Sequence, residues 1–251
     1  MDKKVLPVLA VLLLMLTGCS QTHYRTDGSS GGEARKIAEK ERILLKTQNY
    51  EALIQQNREL LKKKEDPDVR FRLAEYYYLA GNYNSSLHYL KESLLKSPAA
   101  RVYLLQGKNL IAQRNYDSAL KFINMAAQRE PGNAEALNLR GVILANKGEL
   151  KTAMGAFEQA RNAFYPEEKV MNNMALVHIV ERRYSQAIQM LLPVYLRGYR
   201  DSHFTHNLIF ALVKDGDLRY AKEIIKRENL SRYPDTLVSA LFEVESNMAP
   251  L

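Results

Sequence analysis

Small side chains return along this chain every 33 or 34 residues, and that period restricts its fold more than any other feature. Ala74, Gly107, Gly141 and Ala175 follow one another at spacings of 33, 34 and 34. Ser86, Ala119, Ala153, Ala187 and Ala221 form a second row at 33, 34, 34 and 34, with Ser86 twelve residues behind Ala74 and the others in step. Three residues ahead of each stands a large side chain, Tyr83, Tyr116, Leu150, Tyr184 or Leu218, introduced by turn formers such as Gly81-Asn82, Gly148-Glu149 and Gly216-Asp217. A unit of this length holds two helices and a turn, and such units stack on their neighbours instead of surrounding one core. Where two helices cross closely, anything larger than a methyl group holds the backbones apart, so the crossings demand Gly, Ala or Ser.

The stretch from Ala100 to Asn133 resembles the tetratricopeptide repeat. Tyr103, Gly107, Ala119, Ile123, Ala126 and Pro131 occupy its large, small, small, aromatic, small and proline places. The unit from Ala134 supplies Leu137, Gly141, Ala153, Phe157 and Ala160, with the proline displaced by one to Pro166. The unit from Pro67 supplies Ala74, Tyr77, Ser86, Leu90, Ser93 and Pro98. Units from Glu168 and Ser202 keep Ala175 and Ala187, then Ala221, but carry Val194 and Glu228 where a small residue is usual. A first unit from Ala34, in register through Tyr50, has Glu41 and Leu53 in the small places, as terminal units often do.

This resemblance implies an all-α, right-handed superhelical solenoid of about six helix-turn-helix units over residues 34–234, with a capping helix and tail over 235–251. The cap is expected from Asp235 to Asn247, with Leu237, Ala240, Leu241 and Val244 on one face. Pro98, Pro131, Pro166 and Pro234 are expected to stop second helices, since proline lacks the amide hydrogen and clashes with the preceding turn.

Residues 1–18 read as an export signal. Lys3 and Lys4 precede an apolar run from Val5 to Leu16, shorter than the ~20 residues of a membrane-spanning helix. Leu16-Thr17-Gly18-Cys19 resembles the bacterial lipobox, which implies cleavage before Cys19 and acylation of this one cysteine of the chain. A lone thiol in an oxidising compartment is otherwise an unexplained reactive group. Two or more fatty chains, at ~0.8 kcal/mol per buried methylene, hold a protein stably on a membrane. Ser20 in place of Asp implies, by the same resemblance, outer-membrane attachment on the periplasmic face. Residues 19–33 form the lipidated amino terminus and a Gly- and Ser-rich tether. Cleavage removes two basic residues and one acidic one, leaving 34 Lys plus Arg against 27 Asp plus Glu, a net charge of +7. Lys62-Lys63-Lys64 is the densest basic cluster, placed where lysines oppose a helix dipole.

No Gly-rich phosphate loop, nucleophile elbow or paired histidines flanking a glutamate occurs, so neither catalysis nor a cofactor is expected. His203 and His206 with Asp201 offer too few ligands for a zinc centre, and His88, His178 and His23 stand alone. No nucleic-acid recognition motif is present. In tetratricopeptide arrays the first helix of each unit lines a concave groove that holds a protein segment. Carried onto this chain, those positions are Phe71, Glu75 and Tyr78, then Arg101, Leu104 and Lys108, then Asn138 and Val142, then Asn172, Asn173 and Leu176, then His206, Asn207 and Phe210. An asparagine amide both donates and accepts, which suits a partner's backbone, while Phe71, Tyr78 and Phe210 suit affinity anchors where exposed.

A lipidated stack that runs from a short tether nearly to the carboxyl terminus resembles the lipoprotein of the tight-adherence, or Flp, pilus system. This implies a scaffold that binds a secretin or another pilus component and aids its localisation or multimerisation. Type IV pilus pilotins share both features and are the first alternative. Adaptors of cell-wall hydrolases or of outer-membrane protein insertion form a second class, which neighbouring genes separate from the first.

Overall fold

The computed structural model describes residues 30–95 and 98–244, with side chains from residue 35 onward. The expected signal, Cys19, the tether up to residue 29 and the tail after Val244 lie outside the described residues. The chain divides into two units, residues 1–49 and 50–251. The smaller one contains α1 (Ser30–Lys46), so the last residues of the expected tether, from Ser30 on, are helical. No described helix is long and apolar enough to cross a membrane.

The larger unit opens with α2 (Tyr50–Lys63) and continues through five helix pairs. These are α3 (Pro67–Leu79) with α4 (Tyr83–Ser93), α5 (Ala100–Ala112) with α6 (Tyr116–Arg129), and α7 (Ala134–Asn146) with α8 (Leu150–Asn162). Then come α9 (Glu167–Val180) with α10 (Tyr184–Leu196), α11 (Ser202–Asp215) with α12 (Leu218–Arg227), and finally α13 (Pro234–Glu243). The second helices start at Tyr83, Tyr116, Leu150, Tyr184 and Leu218, the large residues of the sequence period. Three of these five starts are fixed by a side-chain cap. The side chains of Asn82, Asn115 and Asp217 accept hydrogen bonds from the backbone N–H of Ser85, Ser118 and Tyr220, satisfying donors that a helix start leaves unpaired. Gly216, at φ 96°, takes the left-handed turn between α11 and α12 that side chains resist.

Within the larger unit each helix from α2 to α13 packs on its sequence neighbours. First helices also touch across repeats, α3 with α5, α5 with α7, α7 with α9 and α9 with α11, whereas no two second helices meet among the described residues. The first helices therefore form the tighter, concave layer of a superhelix. The buried side chains fall into successive groups along the stack. One holds Phe71, Ala74, Leu90, Val102 and Leu105, and the next holds Leu104, Ala119, Ile123, Ala126 and Ile143. Ala153, Phe157, Ala160 and Met174 follow, and then a larger group around Ala175, Leu191, Leu208 and Ile224.

The crossings are built from a bare backbone against a large side chain. A Cβ placed on Gly141 meets Phe157 Cδ1 at 2.5 Å, and one on Gly107 meets Ile123 Cδ1 at 2.5 Å. Asn109, fully buried on α5, donates to Ser86 Oγ at 2.8 Å and to the Leu105 carbonyl at 2.8 Å, so the small Ser86 is also an acceptor. Glu228, which stands where a small residue is usual, accepts from the Tyr195 hydroxyl and pairs with Arg200 Nε at 2.9 Å, while the Arg200 guanidinium lies 3.9 Å from the Tyr195 ring. This ion-paired arrangement fills the space that a small residue leaves to packing elsewhere.

Three expectations about helix ends change. Pro166 is the residue before α9 and Pro234 is the first residue of α13, so both open the following helix, where a missing N–H costs nothing, instead of stopping the preceding one. In α13 the fully buried residue is Val238, flanked by half-buried Leu237 and Leu241, while Ala240 and Val244 are exposed. α13 rests on both α11 and α12, so its inward face is wider than a single helical row. Lys62 and Lys63 lie in the last turn of α2, and Lys62 Nζ sits 2.8 Å from Glu59 Oε1.

The crossings make a matched pair of substitutions informative. Gly141→Ala forces Phe157 aside and is expected to cost about 1–3 kcal/mol. Gly155→Ala, in α8 with open space around its Cβ, is expected to stabilise by up to ~1 kcal/mol through helix propensity. Urea midpoints of the two variants should move in opposite directions.

Candidate functional site

The concave layer carries a groove of about 570 Å³ along the first helices of the last three pairs. Asn138, Val142, Asn172, Asn173, Leu176 and Asn207 line it, all of them predicted groove positions. Its wall is completed by Tyr165, Glu168, Lys169, Tyr199, Asp201, His203 and Phe204, which the sequence reading did not place there. A signal for two of these exists, since Tyr165, Tyr199 and Tyr233 recur at intervals of 34, each just before a first helix. Burial pushes the Tyr165 and Tyr199 hydroxyls above their usual range, so they face the groove as neutral donors at any physiological pH. Glu168 and Asp201 offset Lys169 and His203, so the groove is not basic.

The asparagines are tied to one another. Asn173 Nδ2 donates to Asn138 Oδ1 at 2.9 Å, and Asn207 Nδ2 donates to Asn172 Oδ1 at 2.9 Å. One repeat earlier the same two positions are Leu104 and Leu139, which share a buried group, and one repeat before that they are Phe71 and Leu105, which share another. Four rungs thus join successive first helices, apolar in the first half of the stack and amide in the second. Each amide rung uses one donor and one acceptor. The Asn138 and Asn172 nitrogens and the Asn173 and Asn207 oxygens carry no other hydrogen bond among the described residues.

The rungs correct part of the expected surface. Phe71 and Leu104 are 7% and 6% exposed because each is a rung between repeats, and Phe210 is 8% exposed because it shares the buried group that includes Val238 of the capping helix. None of the three is an exposed anchor. Arg101 pairs with Asp68 of the preceding repeat and stacks 4.7 Å from the Phe71 ring. Lys108 pairs with Glu135 of the following repeat. Tyr78 is half-buried, its ring 5.8 Å from that of Tyr83. His206 is exposed outside the groove wall. Asp201, next to the two histidines in sequence, caps α11 by accepting from the Phe204 N–H at 3.0 Å. Among the described residues no three His, Cys, Asp or Glu side chains come together as a metal would require. Glu75 has its carboxyl pushed upward, chiefly by burial, against the opposing pull of Lys108, Arg101 and Arg72.

Residues 104–168 match the tetratricopeptide repeat family. The stacked pairs, the bare-backbone crossings and this match agree. The chain is a tetratricopeptide-repeat protein by fold. It is similar to a tetratricopeptide repeat protein 30 homolog of Drosophila pseudoobscura pseudoobscura, 28% identical over 139 residues, covering 55% of this chain and 21% of that protein. The chain thus spans about a fifth of that relative's length. Among solved structures it superposes on the Cut9–Hcn1 hetero-tetramer of the APC/C with a TM-score of 0.68 at 14% identity, covering 82% of this chain and 41% of that one. For pilF of Pseudomonas aeruginosa the TM-score is 0.64 at 19% identity, covering 83% and 98%. For PilW, a type IV pilus biogenesis factor, it is 0.60 at 17% identity, covering 68% and 82%. Likeness at these identities establishes the fold alone.

The amide rungs give a signed prediction. Asn173→Leu alone leaves the Asn138 oxygen facing an apolar neighbour and is expected to cost about 1 kcal/mol, whereas the Asn138→Leu, Asn173→Leu pair recreates an apolar rung and should recover that loss. A double-mutant cycle by chemical denaturation measures the coupling. Glu75→Gln removes a carboxylate whose folded-state pKa lies above its unfolded value. The ionised group therefore disfavours folding above that range, so the substitution should raise the melting temperature at neutral pH. The gain should fade as pH falls through about 4, where the carboxyl is protonated in both states.

Proposed function

We propose that this chain is a lipid-anchored scaffold of the outer membrane that assists pilus assembly, holding an extended segment of a secretin or another pilus component in its groove. The observation that carries the reading is the pair of amide rungs, in which half-buried Asn172 keeps an unused donor between the unused acceptors of Asn173 and Asn207, while Asn138 is buried beneath them. A backbone of extended conformation presents the complementary alternation, and amides bind it without reading its side chains. The lipobox Leu16-Thr17-Gly18-Cys19 supports attachment through Cys19, and Ser20 supports the outer membrane. Likeness in fold to a type IV pilus biogenesis factor supports the pilus class. The tight-adherence system is the finer assignment, supported by the resemblance of a lipobox followed by a tether and stacked repeats.

Two substitutions test anchor and groove separately. Cys19→Ala should block acylation and signal cleavage together, leaving a precursor absent from outer-membrane fractions. Recovery of wild-type protein from the soluble periplasm overturns the anchor. The Asn172→Leu, Asn207→Leu pair should stay folded and membrane-bound, yet retain at least about tenfold less secretin periplasmic domain in a pull-down, a loss of ~1.4 kcal/mol, and reduce surface pili. Normal piliation in that variant, with loss on changes at Lys121 or Gln159 of the outer layer, moves the partner to the other face. Association with a wall hydrolase instead of a pilus component replaces the pilus reading with the adaptor one.

A further inference from the structure

One side chain is costly in two ways that nothing among the described residues offsets. The turns after the second helices place a residue in the left-handed region at Gly132 (φ 85°), Phe164 (62°), Gly198 (101°) and Asn229 (52°). Glycine or asparagine suits that conformation, and of the other residues that adopt it, Gln48, Arg114, Arg182 and Phe164, only Phe164 carries an apolar ring. The Phe164 backbone is held in place by the helix-closing bonds, Phe164 N–H to the Arg161 carbonyl and Tyr165 N–H to the Ala160 carbonyl, both at 3.0 Å. Its ring is 95% exposed, more than any other large apolar side chain among the described residues; Leu95 follows at 76% and Tyr233 at 71%. The ring makes no packing contribution that would offset the backbone strain. Strain of this kind, held by the surrounding structure, marks sites of interaction.

The position identifies what the ring meets. Tyr165, the next residue, lines the groove, so the turn between α8 and α9 that carries Phe164 adjoins it. The charges flanking it are Glu158, Glu167 and Glu168 against Arg161 and Lys169, with Glu167 pairing with Arg197 at 3.4 Å. An anionic lipid surface selects a border with a net basic charge, whereas here Arg161, Lys169 and Arg197 are balanced by Glu158, Glu167 and Glu168. An aromatic ring within a mixed-charge border is the composition of a protein interface, where a few such anchors supply most of the affinity. We infer that Phe164 is a docking residue for the same protein partner that occupies the groove, its ring entering an apolar recess on that partner. This rests on the groove reading and adds a contact outside the peptide track.

The test uses the full chain in the cells that make it, with the photo-crosslinking residue benzoylphenylalanine in place of Phe164, of His203 in the groove wall, or of Lys121 in the outer layer. Adducts at 164 and 203 with one and the same protein, identified by mass spectrometry, and none at 121 are expected. An adduct at 203 with none at 164, or with lipid only at 164, overturns this inference and leaves the groove reading standing. An adduct at 164 with none at 203 separates the ring from the groove partner and also overturns it. No adduct at either position overturns both. In parallel, Phe164→Gly should raise the melting temperature by about 2 °C, by relieving the left-handed strain, while lowering the 203 adduct yield several-fold. A lower melting temperature would show that the ring serves the fold, and the inference fails.

Discussion

A bare helix backbone seated on a large side chain is the contact from which the rest of this stack follows. Gly141 admits the Phe157 ring because it has no Cβ, and Gly107 admits Ile123 in the same manner. Ala74 and Ala175 stand at the same place in α3 and α9, so the helices of these four repeats cross over small residues and pack closely. The inner helices then touch across repeats while the outer ones do not, and the concave surface results. The groove is thus a geometric by-product of small residues on the far side of the helices that line it.

The floor of that groove changes chemistry half-way along. Apolar rungs at Phe71 with Leu105 and Leu104 with Leu139 give way to amide rungs at Asn138 with Asn173 and Asn172 with Asn207. Both kinds join repeats, but they differ in what remains. An apolar rung is consumed by its own packing, whereas an amide rung satisfies half of each side chain and leaves the other half unbonded among the described residues, at half-buried Asn172, Asn173 and Asn207 and at buried Asn138. A polar pair of this sort contributes little net stability and is costly only when broken on one side. It can therefore be kept in the concave layer without weakening the stack.

Helix starts, the small-to-large crossings and the row of groove positions were legible in the residues because the period repeats each constraint five times over. Tyr83, Tyr116 and Leu218 open their helices behind side-chain caps that are local in sequence, and Leu150 and Tyr184 open theirs at the same place in the period without one. What the period hides is contact between repeats. Phe71, Leu104 and Phe210 look like surface positions on an isolated helix, and only the neighbouring helix buries them. The asparagine pairs are 35 residues apart, one more than the period, so a reading at fixed register sees the residues but not the bonds. Pro166 and Pro234 were misjudged because a proline between two helices satisfies either one, and the chain path decides which. Phe164 went unnoticed, since its departure is conformational and leaves no mark in hydrophobic spacing.

The succession of buried groups from Phe71 to Val238 has a consequence for motion. Without a common core, the free energy of opening varies along the chain, lowest where a helix has a neighbour on one side only. α13, with Val238 as its one fully buried side chain, lies at such an end, and its release uncovers the apolar side of α11 while the central pairs stay closed. The stack thus behaves less as a rigid body than as a zip whose teeth part from the carboxyl-terminal end, so amide hydrogens of α13 exchange with solvent long before those of α7 and α8.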